Sequence, residues 1–222
     1  MLSRKLILSG AYQDAFASAL GDVIWPLEKI EASLNHTLAA RPADGGVWLF
    51  GYGSLIWNPL FEFDARRVGT LHGWHRSFCL RVVAGRGSVE TPGRMLSLES
   101  GGSTDGVVLR LPADKLVEEL RLIWIREMIA GAYIPTWADI ILADGRKIKA
   151  LVFVANCLHV YHEINSDISH IAPIIANASG SIGTNADYVR ILQSSLQDCD
   201  IHDRYVDTLV DELDRLKAVG NM

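Results

Sequence analysis

The spacing of hydrophobic positions changes twice along the chain. In residues 26–40, Leu27, Ile30, Leu34 and Leu38 share one face at helical spacing. Pro26 opens this segment, and Pro42 with the Gly45-Gly46 pair closes it, so it predicts one amphipathic helix. The next hundred residues lose that period. VWLF (47–50), VGTLHGW (68–74), SFCLRVVA (77–84), RMLSLES (94–100) and GVVLRLP (106–112) are short β-rich runs broken by glycines. Short strands at this spacing predict a strongly bent sheet or a barrel. Helical period returns from Asp114 to Ala130, with Pro112-Ala113-Asp114 as its start signal. WADIILADGRKIKALVFVAN (137–156) reads as two strands around Asp144-Gly145, a hairpin pattern. From about Asp167 to Met222 two or three helices are expected, broken near Thr184-Asn185 and between Asp200 and Asp203. The centre is β with one inserted helix, and both ends are helical. No βαβ unit repeats, so the class is α+β and not a parallel Rossmann sheet.

Composition narrows the function classes. Of 222 residues, 49% are hydrophobic and 21% charged, enough apolar material for a real core in one sizeable domain. The net charge is −5 with no Lys/Arg-rich run, which argues against a nucleic-acid surface. Cys79, Cys157 and Cys199 are odd in number and widely spaced, which fits reduced thiols rather than a disulfide framework or structural zinc. No apolar run approaches the ~20 residues of a membrane helix. The opening MLSRKLILSGAYQDAFASALG only weakly mimics a signal peptide, because Gln13 and Asp14 interrupt it. A cytoplasmic protein is expected.

Two local features carry chemistry. In FGYGSLIWNP (50–59), Gly51 and Gly53 bracket Tyr52, and Ser54 follows. Glycines here allow a tight turn and close approach to a ligand, whose oxygen successive backbone N–H groups can hold. The alternative is a plain strand-ending turn. A P-loop lacks its lysine here, and a nucleophile elbow its G-x-S-x-G order. The second feature is Glu127. It continues the apolar line of Leu116, Leu120 and Ile123 near a helix C-terminus. Burial and the helix dipole both raise a carboxyl pKa there, which suits general acid–base work. The alternative is a buried ion pair with an arginine such as Arg81 or Arg94. His159 and His162 stand at i, i+3, but the spacing supplies no further ligands, so no metal is expected. His72 and His75 read as structural.

Together, FGYGSLIWNP, GWHRSFCLR (73–81), GRG with TPGRM (85–87, 91–95) and LIWIREMIAGAYIPTW (122–137) resemble the ChaC family of glutathione-specific γ-glutamylcyclotransferases. ASGSIGTNADY (178–188) resembles the tail of its bacterial members. The resemblance runs from about Val47 to Tyr188, and the first 46 residues add nothing to it. It implies a small mixed β-barrel flanked by helices: a helical extension over 1–46, a barrel core over 47–165 and C-terminal helices over 166–222, in one domain. It implies that Gly51, Tyr52, Gly53, Ser54, Leu55 and Ile56 hold a γ-glutamyl group and that Glu127 is the catalytic acid/base. Arg94, and after it Tyr133, are further substrate-binding candidates. The implied reaction releases 5-oxoproline and Cys-Gly from glutathione without metal, cofactor, nucleic acid or membrane. The competing expectations are a cyclotransferase for other γ-glutamyl peptides or amines, and a non-enzymatic regulator of cation transport.

Overall fold

A computed structural model of the chain describes residues 3–43 and 45–220. Five strands close a barrel in the order β1-β3-β2-β4-β5. They are β1 (Trp48–Gly51), β2 (Ala65–Val82), β3 (Gly93–Arg110), β4 (Tyr133–Leu142) and β5 (Lys147–Ala155). Neighbours are antiparallel except β1 and β5, which meet in parallel at Leu49 and Leu151, so the sheet is mixed. The short runs expected at 68–74 and 77–84 are one strand, and so are those at 94–100 and 106–112. The register of β2 against β3 shifts between His72 and Trp74 and again between Ser77 and Leu80. Such irregularities bend a strand without ending it, which is why the pattern looked interrupted.

Helix α3 (Leu27–Ala39) forms where the apolar spacing places it, with Ile30 and Leu34 buried. Helices α1 (Arg4–Leu8) and α2 (Ala11–Leu20) precede it, in a stretch whose periodicity gave no assignment. Among their residues only Ile7, Tyr12 and Leu20 are buried, too thin an apolar face to read. The inserted helix α4 (Leu116–Glu127) stops three residues short of the expected Ala130. The chain turns away after Met128, through Gly131 at φ +69°. Glu127 is therefore its last helical residue. Leu120 and Ile123 are buried on its inner face, and Trp124 packs edge-on to Phe153 of β5, ring centroids 5.2 Å apart. Each such buried side chain stabilises the packing by ~1.5–3 kcal/mol.

Three helices follow the barrel: α5 (Ile168–Asn177), α6 (Asn185–Gln197) and α7 (Arg204–Gly220). The breaks between them lie where the sequence placed them. A two-residue hairpin, β6 (Ser179–Gly180) and β7 (Gly183–Thr184), separates α5 from α6. Thr184 caps α6 by accepting from the Asp187 N–H, and Asp203 Oδ1 accepts from the N–H groups of Tyr205 and Val206 at the start of α7. Among the described residues no helix is long and apolar enough to cross a membrane.

Candidate active site

The glycine-rich turn lies directly after β1. Ser54, Leu55 and Ile56 form one 3-10 turn, with the Ile56 N–H donating to Gly53 O and the Asn58 N–H to Ser54 O, each at 2.9 Å. Neither Gly51 nor Gly53 takes a positive φ. Space is tight at both. A Cβ on Gly53 would stand 3.1 Å from the Tyr188 hydroxyl and 3.3 Å from Leu96, and one on Gly51 3.2 Å from Leu55. The Tyr52 side chain turns inward, and its hydroxyl donates to Phe153 O at 2.6 Å. Leu55 and Ile56 are buried in the core.

Glu127 stands at the end of α4 with its side chain 15% exposed. Its Oε1 lies 3.0 Å from Nε of Arg126, out of line for a hydrogen bond, and has no hydrogen-bond partner among the described residues. Burial raises the carboxyl pKa above the ordinary range, and the Arg126 charge opposes this only in part. The Glu127 charge is felt at the phenols of Tyr12, Tyr52, Tyr133 and Tyr188. Burial raises each phenol, and the Glu127 charge raises it further.

The cation beside Glu127 is thus its own neighbour, and neither Arg81 nor Arg94. Arg126 also donates to Ser54 Oγ at 2.7 Å and to the carbonyls of Asn58 and Pro59. It fastens the turn to the end of α4. Ser54 Oγ is thereby committed as an acceptor, which suits a positioning role better than a nucleophilic one.

Arg94 is held elsewhere. Its Nη1 lies 3.3 Å from Glu163 Oε1, and the buried Asn185 brackets its backbone, accepting from the N–H at 2.7 Å and donating to the carbonyl at 2.9 Å. A side chain at Gly93 would collide with that amide. The Arg94 guanidinium is buried, with Nε and Nη1 lacking hydrogen-bond partners among the described residues, but Arg126 is the cation that acts on Glu127. Tyr133 opens β4 and donates to Leu96 O at 3.3 Å.

His159 and His162 do not form a pair. His159 Nε2 bonds Ala130 O, and His162 Nε2 bonds Glu99, each at 2.9 Å. The fold does bring His162, Glu99 and Cys79 together, with ligand-type atoms within 4.8 Å of one another, a set no sequence spacing displays. Burial pushes the Cys79 thiol up to about 12, with Glu99 adding to the shift. The sequence reading also missed Arg76. This buried β2 residue donates from Nε to Tyr52 O at 2.9 Å, from Nη2 to Asp105 O, and pairs with Asp203 at 2.7 Å. Its only signal was its place in GWHRSFCLR.

Arg126 thus joins the glycine-rich turn, through Ser54, to the buried Glu127 carboxylate. A family model described as ChaC-like protein matches residues 47–216. The chain belongs to the ChaC-like family. Among its relatives in that family is the glutathione-specific γ-glutamylcyclotransferase of Escherichia coli (strain K12), 45% identical over 218 residues, 98% of this chain and 94% of the relative. Glutathione-specific γ-glutamylcyclotransferase 1 of Rattus norvegicus is 30% identical over 201 residues, 86% of this chain and 88% of the relative. The crystal structure of a glutathione-specific γ-glutamyl cyclotransferase from yeast superposes with a TM-score of 0.71 at 20% identity. It covers 78% of this chain and 97% of that one, so the two share the fold. Helices α1, α2 and α3 lie ahead of the matched region.

Proposed function

We propose that this chain is a glutathione-specific γ-glutamylcyclotransferase, with Glu127 as its acid/base. The observation that carries the reading is the buried Glu127 carboxylate, whose Oε1 accepts no hydrogen bond and whose neighbour Arg126 binds Ser54 of the YGSL turn. The turn holds the γ-glutamyl group folded on itself, with its α-amine against its γ-carbonyl carbon. Attack within one positioned residue needs no second reactant to be found. Glu127 takes a proton from the amine as the new N–C bond forms. The carbonyl oxygen becomes an oxyanion, which backbone N–H groups of the turn stabilise. The bond to the cysteine nitrogen then breaks, Glu127 returns the proton to that nitrogen, and 5-oxoproline and Cys-Gly leave. A carboxyl with a raised pKa performs both transfers near neutral pH.

The buried Arg94 guanidinium, paired with Glu163 but with Nε lacking a hydrogen-bond partner among the described residues, suits a substrate carboxylate. The free cysteines, including the exposed Cys157, favour a cytoplasmic location. The test is to incubate the protein with glutathione and follow 5-oxoproline and Cys-Gly by mass spectrometry. N-acetyl-glutathione, whose amine cannot attack, should yield no Cys-Gly. Cys-Gly from the blocked substrate means hydrolysis and overturns the cyclisation.

A further inference from the structure

The segment ahead of the family-matched region packs against α4 and the chain just after it. It is pinned at two points. Arg4 pairs with Glu118 and with the fully buried Glu119 of α4. The Trp25 N–H donates to Ile129 O at 2.7 Å, and its indole lies so close over Gly131 that a side chain there would overlap it. Between these anchors runs α2, with Tyr12, Phe16 and Leu20 at i, i+4 and i+8 along one face. The Tyr12 hydroxyl approaches the Arg126 carbonyl at 3.4 Å, and its ring meets Phe16 edge-on at 4.9 Å. Phe16 and Ile182 lie over Gly85, in the loop between β2 and β3. Leu20 joins Val83 and Ala130 in a small apolar cluster separate from the main core.

Both ends of α2 are glycines in conformations that other residues avoid. Gly10 has φ +80°, and Gly21 has φ +52° with ψ −133°. A Cβ at either position would meet nothing within 4 Å. Space does not demand glycine there, but backbone conformation does. This short helix enters the main core through Tyr12 and rests on the satellite cluster through Leu20; flanked by two such joints and fixed beyond them, it can swing by withdrawing Tyr12 from that core.

We infer that α2 is a hinged cover of the γ-glutamyl site, with Tyr12 as a positioning residue seated beside Glu127 when the cover is closed. It pivots at Gly10 and Gly21 to admit the peptide and release the products. Closure keeps the Glu127 carboxylate dry, and the small exposure of Glu127 is why opening is needed. The inference rests on the proposed function and adds the element that controls access.

Hydrogen exchange on the full-length Glu127→Gln protein, with and without glutathione, tests it. Amides of α2 should exchange at least ~5-fold more slowly with glutathione, alongside those of residues 51–56. Protection of the turn with no change in α2 overturns the cover and leaves the site intact. No response in either segment fails the γ-glutamyl reading, and the cover with it. In the active chain, Gly10→Ala with Gly21→Ala strains the closed geometry without a clash. It should lower kcat/KM about 10-fold, with an unchanged main melting transition. A kcat/KM within about 2-fold of the parent removes the hinges from the account.

Discussion

Arg126 and Glu127 are adjacent in sequence, and their side chains meet, Nε 3.0 Å from Oε1. The same guanidinium is already committed to Ser54 Oγ and to the carbonyls of Asn58 and Pro59. Its charge reaches Glu127, but its aligned hydrogen bonds go to the turn. Burial therefore outweighs attraction, and the carboxyl stays above its ordinary range while Oε1 remains open.

Glu127→Gln should lower kcat by ~10²–10⁴-fold with KM little changed, because it keeps the shape and removes the proton transfer. The variant should not melt lower than the parent at neutral pH, since Arg126 retains its bonds to the turn. Steady-state kinetics beside a melting curve checks both. Near-parental kcat with a lowered Tm points to a purely structural ion pair.

The pH dependence follows from the sign of the Glu127 shift. Its folded pKa is raised, so its contribution to stability is fully present below the unfolded value, near 4.5, and is lost as pH rises through the folded value. Parent and Glu127→Gln should thus be equally stable in mild acid, and Gln should gain on the parent as pH rises toward neutrality. The acid limb of the parent's kcat should sit above the ordinary glutamate range. A parent that becomes the more stable of the two on raising the pH reverses the sign and sinks this account.

Arg126→Lys and Arg126→Met should differ in kind. Lysine keeps a charge near Glu127 but cannot span Ser54 and two carbonyls at once. It should raise KM about 10-fold and leave the acid limb in place. Methionine also removes the opposing charge, so the acid limb should move to higher pH. Coincident pH profiles for the two variants would show that the Arg126 charge does not act on Glu127.

Much of this was legible in local text. In the sequence, Leu120, Ile123 and Glu127 share a helical face, and Asp144-Gly145 marks the hairpin between β4 and β5. The relations that escaped are those between distant segments. The part played by Arg126 is one of them, because successive helical side chains diverge and nothing local says that the helix ends at Glu127. Asn185 binds the backbone of Arg94, 91 residues earlier, which periodicity cannot express. The role of α2 was hidden because its inward face holds only Tyr12, Phe16 and Leu20. The two long strands read as four because register shifts interrupt alternation without ending pairing.

Arg76 offers the clearest separation of scaffold from chemistry. Burial lowers its pKa, and Asp203 opposes this, so the ion pair is held inside the protein at a desolvation cost. Its three partners belong to the YGSL turn, to β3 and to the residue that caps α7. Arg76→Ala leaves a carboxylate and two carbonyls short of donors and should cost ~3–5 kcal/mol. Lysine should recover only part of this, because one ammonium cannot meet three acceptors in different directions. The pairwise part is isolated by a cycle of Arg76→Met, Asp203→Asn and the double variant, measured by chemical denaturation. Asp203 keeps a capping acceptor as asparagine, so the cycle reads the ion pair rather than the cap. A coupling of at least ~1.5 kcal/mol is expected for a pair this buried. Freed from Arg76, the Tyr52 carbonyl should loosen the turn and raise KM, while kcat per folded molecule changes little because Glu127 is untouched. A coupling near zero, or a collapse of kcat with KM intact, would place Arg76 in the chemistry instead of the frame that holds the turn.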